Sequence, residues 1–455
     1  MKLTRPALLL AFSSLGILSA CKKDTSDLTS NITPLPVTAQ PTFDDKLKDS
    51  VMLFTRDLYL WHKNLPENFN ERSYSDPQKI MAAIQKYSTE PGFSNPVDRW
   101  SFAMKKTEWN KISSGIAGDF GFGVLYRTED DLRVKYVEAA SPAGTAGVRR
   151  GWRITKINGN SNINYSNKDF VSNAVFNSSS SSFTFETAEG ATKDISINAA
   201  TYQEHPIFVD STYTIGSKKI GYVVFNSFLG DTSRVYRQFN QIFSGFAQQN
   251  VTDVVIDLRY NGGGYVSMQE KLANYLVKPS ANGDVMMKQE FNENLSEYNE
   301  TTRFRKIGSL NLDRIIFIVS NGTASASELL INNLKPYMDV KVFGPSNTHG
   351  KPVGFFPYPV SDWYIFPVSF RTVNKSGQGN YFNGIELTSK TADGVDKDWG
   401  DMDEASLAGA LKYIVSGSFR INSNNSYNEN PVVRQANIDL DAHVFKGAIN
   451  TRRMH

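Results

Sequence analysis

Cysteine is nearly absent from this sequence of 455 residues: Cys21 is the only one. No disulfide can close within the chain, and no thiolate cage can hold a metal. An excess of charge of one sign is missing too. Lys and Arg number 49 against 46 Asp and Glu, and the formal net charge of +3 includes Lys2 and Arg5 at the very start. With no long basic run, nucleic acid is not an expected partner. No internal repeat recurs along the chain. What remains is a composition of ordinary globular type, with length enough for two or three domains that each bury a core.

The start, MKLTRPALLLAFSSLGILSACKKD, has a positive n-region in Lys2 and Arg5, an apolar h-region and small residues before Cys21. That run is too short for a transmembrane span, so residues 1–20 read as a processed signal. LSAC resembles the bacterial lipobox, whose cysteine becomes the lipidated first residue of the mature protein. An ordinary secretory signal with a chance cysteine is the alternative. The lipobox reading places the protein in a bacterial cell envelope, anchored to a membrane (the outer one by expectation) through Cys21. Residues 21–42 are polar, Pro- and Thr-rich and aperiodic, the composition of a flexible tether.

From 43 to 112 the apolar spacing is helical. FDDKLKDSVMLFTRDLYLWHKNLP and SDPQKIMAAIQKYS read as helices, the second with a Ser-Asp cap and an early Pro, and DRWSFAMKKTEWN reads as a third. Residues 113–202 change to short alternating strands, with SPAGTAGV as one short helix. From 203 to 416 strands and helices alternate: IGYVVFNSF, then TSRVYRQFNQIFSGFAQQN, then VTDVVIDLR, RIIFIVS, ASELLINNLKPY and DVKVFG. That order predicts right-handed crossovers and a mostly parallel sheet, with DWYIFPVSFRTVN as one added antiparallel strand. Residues 417–455, rich in Asn and Ser, read as an irregular tail.

Chemistry in such sheets gathers at the carboxyl ends of strands. Two strand ends stand out. IDLRYNGGG finishes in Asn261, Gly262, Gly263 and Gly264, and three glycines suit a chain that brings N–H groups close to a ligand, or simply a tight turn. IFIVSNGTASASE carries Thr323, Ser325 and Ser327 where a helix begins. A hydroxyl at that turn, beside outward N–H groups and the positive end of the dipole, suits attack on a carbonyl; the same hydroxyls also suit helix caps. Thr323 and Ser327 are explained by caps and turns alone. A base for Ser325 comes from THGKP: His349 is the only one of the five histidines in this region, and Lys351 qualifies if burial lowers its pKa. Read alone, Lys351 is an exposed loop lysine.

The order IDLRYNGGG, SNGTASASE, THGKP resembles the C-terminal processing, or tail-specific, serine peptidases, over about residues 110–415. The resemblance implies Ser325 as nucleophile and Lys351 as general base, with the N–H groups of Ala326 and Gly263 as the oxyanion hole. It implies no metal or cofactor. Glu328 matches the family's glutamate in ASASE and is expected to be structural. His349 stands where an aromatic residue is common, and is an auxiliary candidate for proton transfer or for depressing the lysine pKa by its charge. Phe355 stands where a glutamine often orients the lysine, and Pro336 near a frequent acidic position. SPAGTAGVRRGWRITKING resembles a PDZ stretch, with Trp152 where Asp is common, and the FGFGV run containing Phe120, Gly121, Phe122 and Gly123 resembles its carboxylate-binding loop.

The fold class expected is multidomain α/β: a helical N-terminal domain, a PDZ-like β domain, and a ClpP/crotonase-like α/β protease domain. The function expected is that of a lipid-anchored envelope serine endopeptidase acting on unstructured polypeptide segments. The alternatives are a non-catalytic peptide-binding lipoprotein on the same fold and a hydrolase of another ester or amide.

Overall fold

Strands that read as unbroken apolar runs need cover on both faces, and the computed structural model shows where that cover comes from. It describes residues 40–418, 438–440 and 445–451. The signal, Cys21 and nearly all of the tether lie outside the described residues. Among the described residues no helix is long and apolar enough to cross a membrane.

The central sheet runs Ser389–Lys390, Asp339–Gly344, Arg314–Ile318, Asp253–Asp257, Lys218–Phe225, Ile207–Ile215. All neighbours are parallel except the last pair. Register Val254↔Ile315 and Val255↔Ile316 sends alternate residues to opposite faces. Val254, Ile256, Ile315 and Phe317 meet the helices Thr232–Gln248, Val266–Leu276 and Ala326–Leu334. Val255, Ile316 and Ile318 meet Leu407, Ala410 and Leu411 of the helix Ala405–Ser416 on the other face.

A second six-stranded sheet runs Gly263–Tyr265, Gly447–Ile449, Val353–Phe355, Val368–Asn374, Val285–Phe291, Glu300–Arg303. The helix Ala326–Leu334 lies between the two sheets, with every residue buried. Two expectations change here. DWYIFPVSFRTVN is two strands in different sheets, Trp363–Phe366 and Val368–Asn374, divided at Pro367, which has no N–H to give a ladder. The tail read as irregular supplies two short strands, Ile438–Asp439 and Gly447–Ile449.

The helices Phe43–Leu58 and Pro77–Ile84 form as their spacing requires, and the Asp76 side chain accepts from the Lys79 amide at 3.0 Å. DRWSFAMKKTEWN is not one helix. Phe102–Lys105 is a strand paired antiparallel with Trp363–Phe366, and only Lys106–Ser114 is helical. Phe102 stacks on Phe366 at 4.2 Å, a partner that local periodicity does not contain. The helical region has no core of its own: Val51, Ile80 and Trp100 share one cluster with Val353, Phe355 and Val368.

Strands Phe122–Thr128, Asp131–Val137, Arg153–Ile157, Ser180–Glu186 and Thr192–Asn198 form an antiparallel sheet over Phe120, Val134, Phe183 and Phe185. The helix Pro142–Thr145 is the one expected, and Lys168–Phe176 is a second. Arg150 ties this sheet to the central one. Its guanidinium is buried, donating to Asp393 at 3.2 Å and to the Tyr260 hydroxyl at 3.1 Å. Arg259 joins the same network through Asp257 at 2.6 Å and Glu404 at 2.7 Å.

Candidate active site

Three turns meet at one end of the central sheet, and their hydroxyls hold them together. The Thr323 hydroxyl donates to the Leu258 carbonyl at 2.7 Å, and the Ser327 hydroxyl to the Asn261 carbonyl at 3.0 Å. The Ala324 amide donates to the Asn261 carbonyl at 3.0 Å. Thr323 and Ser327 thus brace the glycine turn against the serine turn.

Ser325 has another character. It is buried, and its backbone stands at φ 58°, ψ −107°, in the left-handed half of the map. A non-glycine residue held in such a sparsely populated region costs about 1–3 kcal/mol and persists only where its surroundings fix it. Glu328 does the fixing. Its Oε2 accepts from the Ser325 amide at 2.7 Å and from the Lys351 amide at 2.9 Å. Its Oε1 accepts from the Gly350 amide at 2.7 Å and the Thr348 hydroxyl at 2.5 Å. One carboxylate oxygen therefore bridges the backbones of the two predicted catalytic residues. Burial pushes the Glu328 carboxyl up, and these four donors pull the other way.

Gly350 lets that turn form. It has φ 89°, and a Cβ there would stand 2.3 Å from the Phe382 carbonyl oxygen. Lys351 follows, 1% exposed. Its Nζ lies 3.5 Å from the centre of the Phe355 ring and 5.7 Å from that of Trp100. Burial holds the amine well below the ordinary lysine value, against the opposing charges of Asp98 and Glu328. The Ser325 hydroxyl donates to the Val353 carbonyl at 3.5 Å, on the strand that Lys351 leads into. The Lys351 Nζ donates to the Lys446 carbonyl at 2.7 Å.

Gly263 and Ala326 come together as expected. A Cβ on Gly263, whose φ is 104°, would stand 3.0 Å from the Ala326 nitrogen and 2.5 Å from the Gly447 carbonyl oxygen. The Gly263 amide donates to the Asn261 side chain at 2.9 Å in this state.

His349 does not fill the role of a charged auxiliary. Its Nε2 accepts from the Trp100 indole at 3.1 Å. Burial lowers its pKa to about 3, helped by the charges of Lys446, Arg99 and Lys351. The ring is neutral across the physiological range, so it cannot depress the lysine by its charge. The Phe120 and Phe122 side chains pack in the core of the β domain. The Gly121 amide donates to the Asp119 carboxylate at 2.8 Å, and Phe122 and Gly123 pair with Val137 and Tyr136.

Sequence motifs did not reach Asp98, whose charge acts on the Lys351 amine, Trp100, whose ring lies 5.7 Å from it, or residues 445–451, whose Lys446 carbonyl it meets. The short FKGAI run among polar neighbours was the only hint of the last.

Residues 219–390 match the model of peptidase family S41. The chain carries an S41 peptidase domain. That span contains Gly263, Ser325, Ala326, Glu328 and Lys351. A probable CtpA-like serine protease of Staphylococcus aureus is 29% identical over 259 residues, which is 56% of this chain and 49% of that one. A probable CtpA-like serine protease of Staphylococcus epidermidis is 26% identical over 257 residues, with the same shares. The chain thus spans about half the length of the curated relatives it matches. Among solved structures, a putative S41 protease from Bacteroides fragilis shares the fold: TM-score 0.66, 21% identity, covering 81% of this chain and 97% of that one. The matched span ends at residue 390, and residues 445–451, beyond it, add a strand to the second sheet.

Proposed function

We propose that the protein is a serine endopeptidase of the C-terminal processing type, acting through a Ser325–Lys351 dyad. The observation that carries this reading is the shared Glu328 oxygen, which sets the Ser325 and Lys351 amides at 2.7 and 2.9 Å from one atom. The buried amine supports the role of base, because a lysine whose pKa is lowered by burial can accept a proton near neutrality.

Ser325 Oγ bonds to the substrate carbonyl carbon while its proton passes to the Lys351 amine. The carbonyl oxygen takes up negative charge beside the amides of Ala326 and Gly263. The C–N bond then breaks, the leaving amine takes the proton from Lys351, and an acyl-enzyme remains. Water gives its proton to the same amine and attacks the acyl carbon; the bond from that carbon to Ser325 Oγ breaks, Oγ takes the proton back from Lys351, and the product acid leaves. The Gly263 amide must turn from Asn261 to take part.

The sheet domain of residues 113–202 is read as a PDZ-like module that holds an extended polypeptide by strand addition, with residues 120–123 at the carboxylate end. Cys21 is read as the lipid anchor in the bacterial envelope. A fluorophosphonate probe should label the protein and leave Ser325→Ala unlabelled; labelling of both, or of neither in a folded protein with its groove cleared, overturns the dyad. Membrane extracts tested for loss of anchoring in Cys21→Ala check the location separately.

A further inference from the structure

Two open sheet edges would serve an incoming strand, and one stretch of this chain sits on both. The first edge is Phe122–Thr128, the outer strand of the β domain. Ile438–Asp439 pairs antiparallel with it, in register Ile438↔Tyr126, and Leu440 packs on the same core. The second lies between Gly263–Tyr265 and Val353–Phe355. Gly447–Ile449 fills it, parallel to both.

The second seat is specific. The Gly447 amide donates to the Gly262 carbonyl at 3.0 Å, and the Asn450 amide to the Phe355 carbonyl at 3.1 Å. Gly447 is opposite Gly263, whose missing side chain leaves room for the Gly447 carbonyl. Ala448 and Ile449 are buried. Phe445 enters an aromatic pocket, with ring centres 5.3 Å from Trp109 and 6.0 Å from Phe102. The Lys446 carbonyl takes the hydrogen bond of the Lys351 amine. The occupant is therefore bound through its backbone as a substrate strand would be, but in an unreactive state. The base amine is committed to a carbonyl other than the one beside Gly263, and the Gly263 amide faces Asn261.

We propose that residues 445–451 are a built-in inhibitory strand that occupies the substrate groove and must leave before a polypeptide can be cut. This rests on the proposed peptidase reading. It also defines the ligand class of the groove: an extended peptide with an aromatic residue two positions before a glycine, matching the Phe445 pocket and the Gly263 contact. Release opens a gap in the second sheet between Gly263–Tyr265 and Val353–Phe355 and removes no strand of the central sheet.

The test uses the full chain, its Phe445→Glu and Phe445→Tyr variants, and a chain ending at Ser418. Rates of fluorophosphonate labelling are measured with and without the synthetic peptide FKGAINT. The charge of Phe445→Glu is disfavoured in the aromatic pocket, so this variant should label at least ten-fold faster than the parent, and Phe445→Tyr at the parental rate. The peptide should slow Phe445→Glu back towards the parent, whereas EKGAINT should not. A folded Phe445→Glu that labels within two-fold of the parent, with no effect of the peptide, overturns the inhibitory strand and leaves the peptidase reading standing. If no variant labels, binding of fluorescent FKGAINT to the chain ending at Ser418 decides the strand alone. Saturable binding that EKGAINT does not share supports the groove while the dyad falls, and no binding overturns the groove as well. Should that shortened chain fail to fold, hydrogen exchange at residues 445–450 replaces it. Faster exchange in Phe445→Glu than in the parent supports the strand, and equal exchange overturns it.

Discussion

Glu328→Gln tests the clamp that joins the serine and lysine turns. The wild-type carboxylate is fully buried and accepts four hydrogen bonds, two on each oxygen. A glutamine keeps one accepting oxygen and replaces the other with an NH2 group, which can only donate. The milder orientation keeps the oxygen on the Ser325 and Lys351 amides and turns the NH2 towards Thr348 and Gly350. The Thr348 hydroxyl can rotate to accept, but the Gly350 amide is left buried without a partner. Leaving one such group unsatisfied costs about 1–3 kcal/mol. The opposite orientation strands the Ser325 and Lys351 amides and costs roughly twice that. We therefore expect Glu328→Gln to lose about 1–3 kcal/mol in urea unfolding. Its kcat should fall moderately, because the Ser325 and Lys351 amides keep their shared acceptor. Glu328→Ala removes all four acceptor contacts and frees Ser325 from its φ of 58°. A displacement of about 1 Å at a reacting group is enough for a hundred-fold loss, so kcat should fall at least that far in molecules that remain folded. An alanine variant with kcat within a few-fold of the parent would refute the clamp.

Other outcomes follow from the same contacts. Lys351→Met should abolish turnover by about 10²–10⁴-fold, the usual contribution of a general base, yet gain stability at neutral pH. In the parent the folded pKa of Lys351 lies below its unfolded value, so parental stability rises with pH through that window and the variant's gain fades towards pH 10.5. Denaturant titrations at several pH values check this. His349→Phe should leave the acid limb of the pH–rate profile in place, because His349 titrates at about 3. That histidine lends stability that is fully present above pH 6.5 and declines as pH falls towards 3, so the variant should lose less stability than the parent on acidification. Arg150→Met removes buried donors from Asp393 and Tyr260 and should destabilise the protein by about 3 kcal/mol, with the β domain becoming protease-sensitive. Gly350→Ala should destabilise by more than about 1 kcal/mol, since it forces a Cβ onto the Phe382 carbonyl at positive φ.

The α/β region was legible because its physics is local. Runs such as VTDVVIDLR and RIIFIVS are apolar on both faces, and the helices between them carry the opposite periodicity. The helical region was less legible. The FAMK segment became a strand because Trp363–Phe366 was there to pair with it, and stacking on Phe366 outweighed helical spacing. Within the site, residue types pointed to the serine and lysine, but not to the neutral state of His349, which follows from burial against Trp100 and the charges of Lys446 and Arg99. The Phe355 ring against Lys351 likewise reflects packing that no local pattern encodes.

Residue order along the chain determined which strands and helices form and which turns carry glycines and hydroxyls, since these depend on backbone sterics and periodicity over a few neighbours. Tertiary structure alone decided that Glu328 bridges two turns, that Trp100 borders the lysine, and that Gly447–Ile449 pairs beside Gly263–Tyr265. Those features depend on where the unpaired edges and the buried charge come to rest, and such positions exist only once distant segments have packed together.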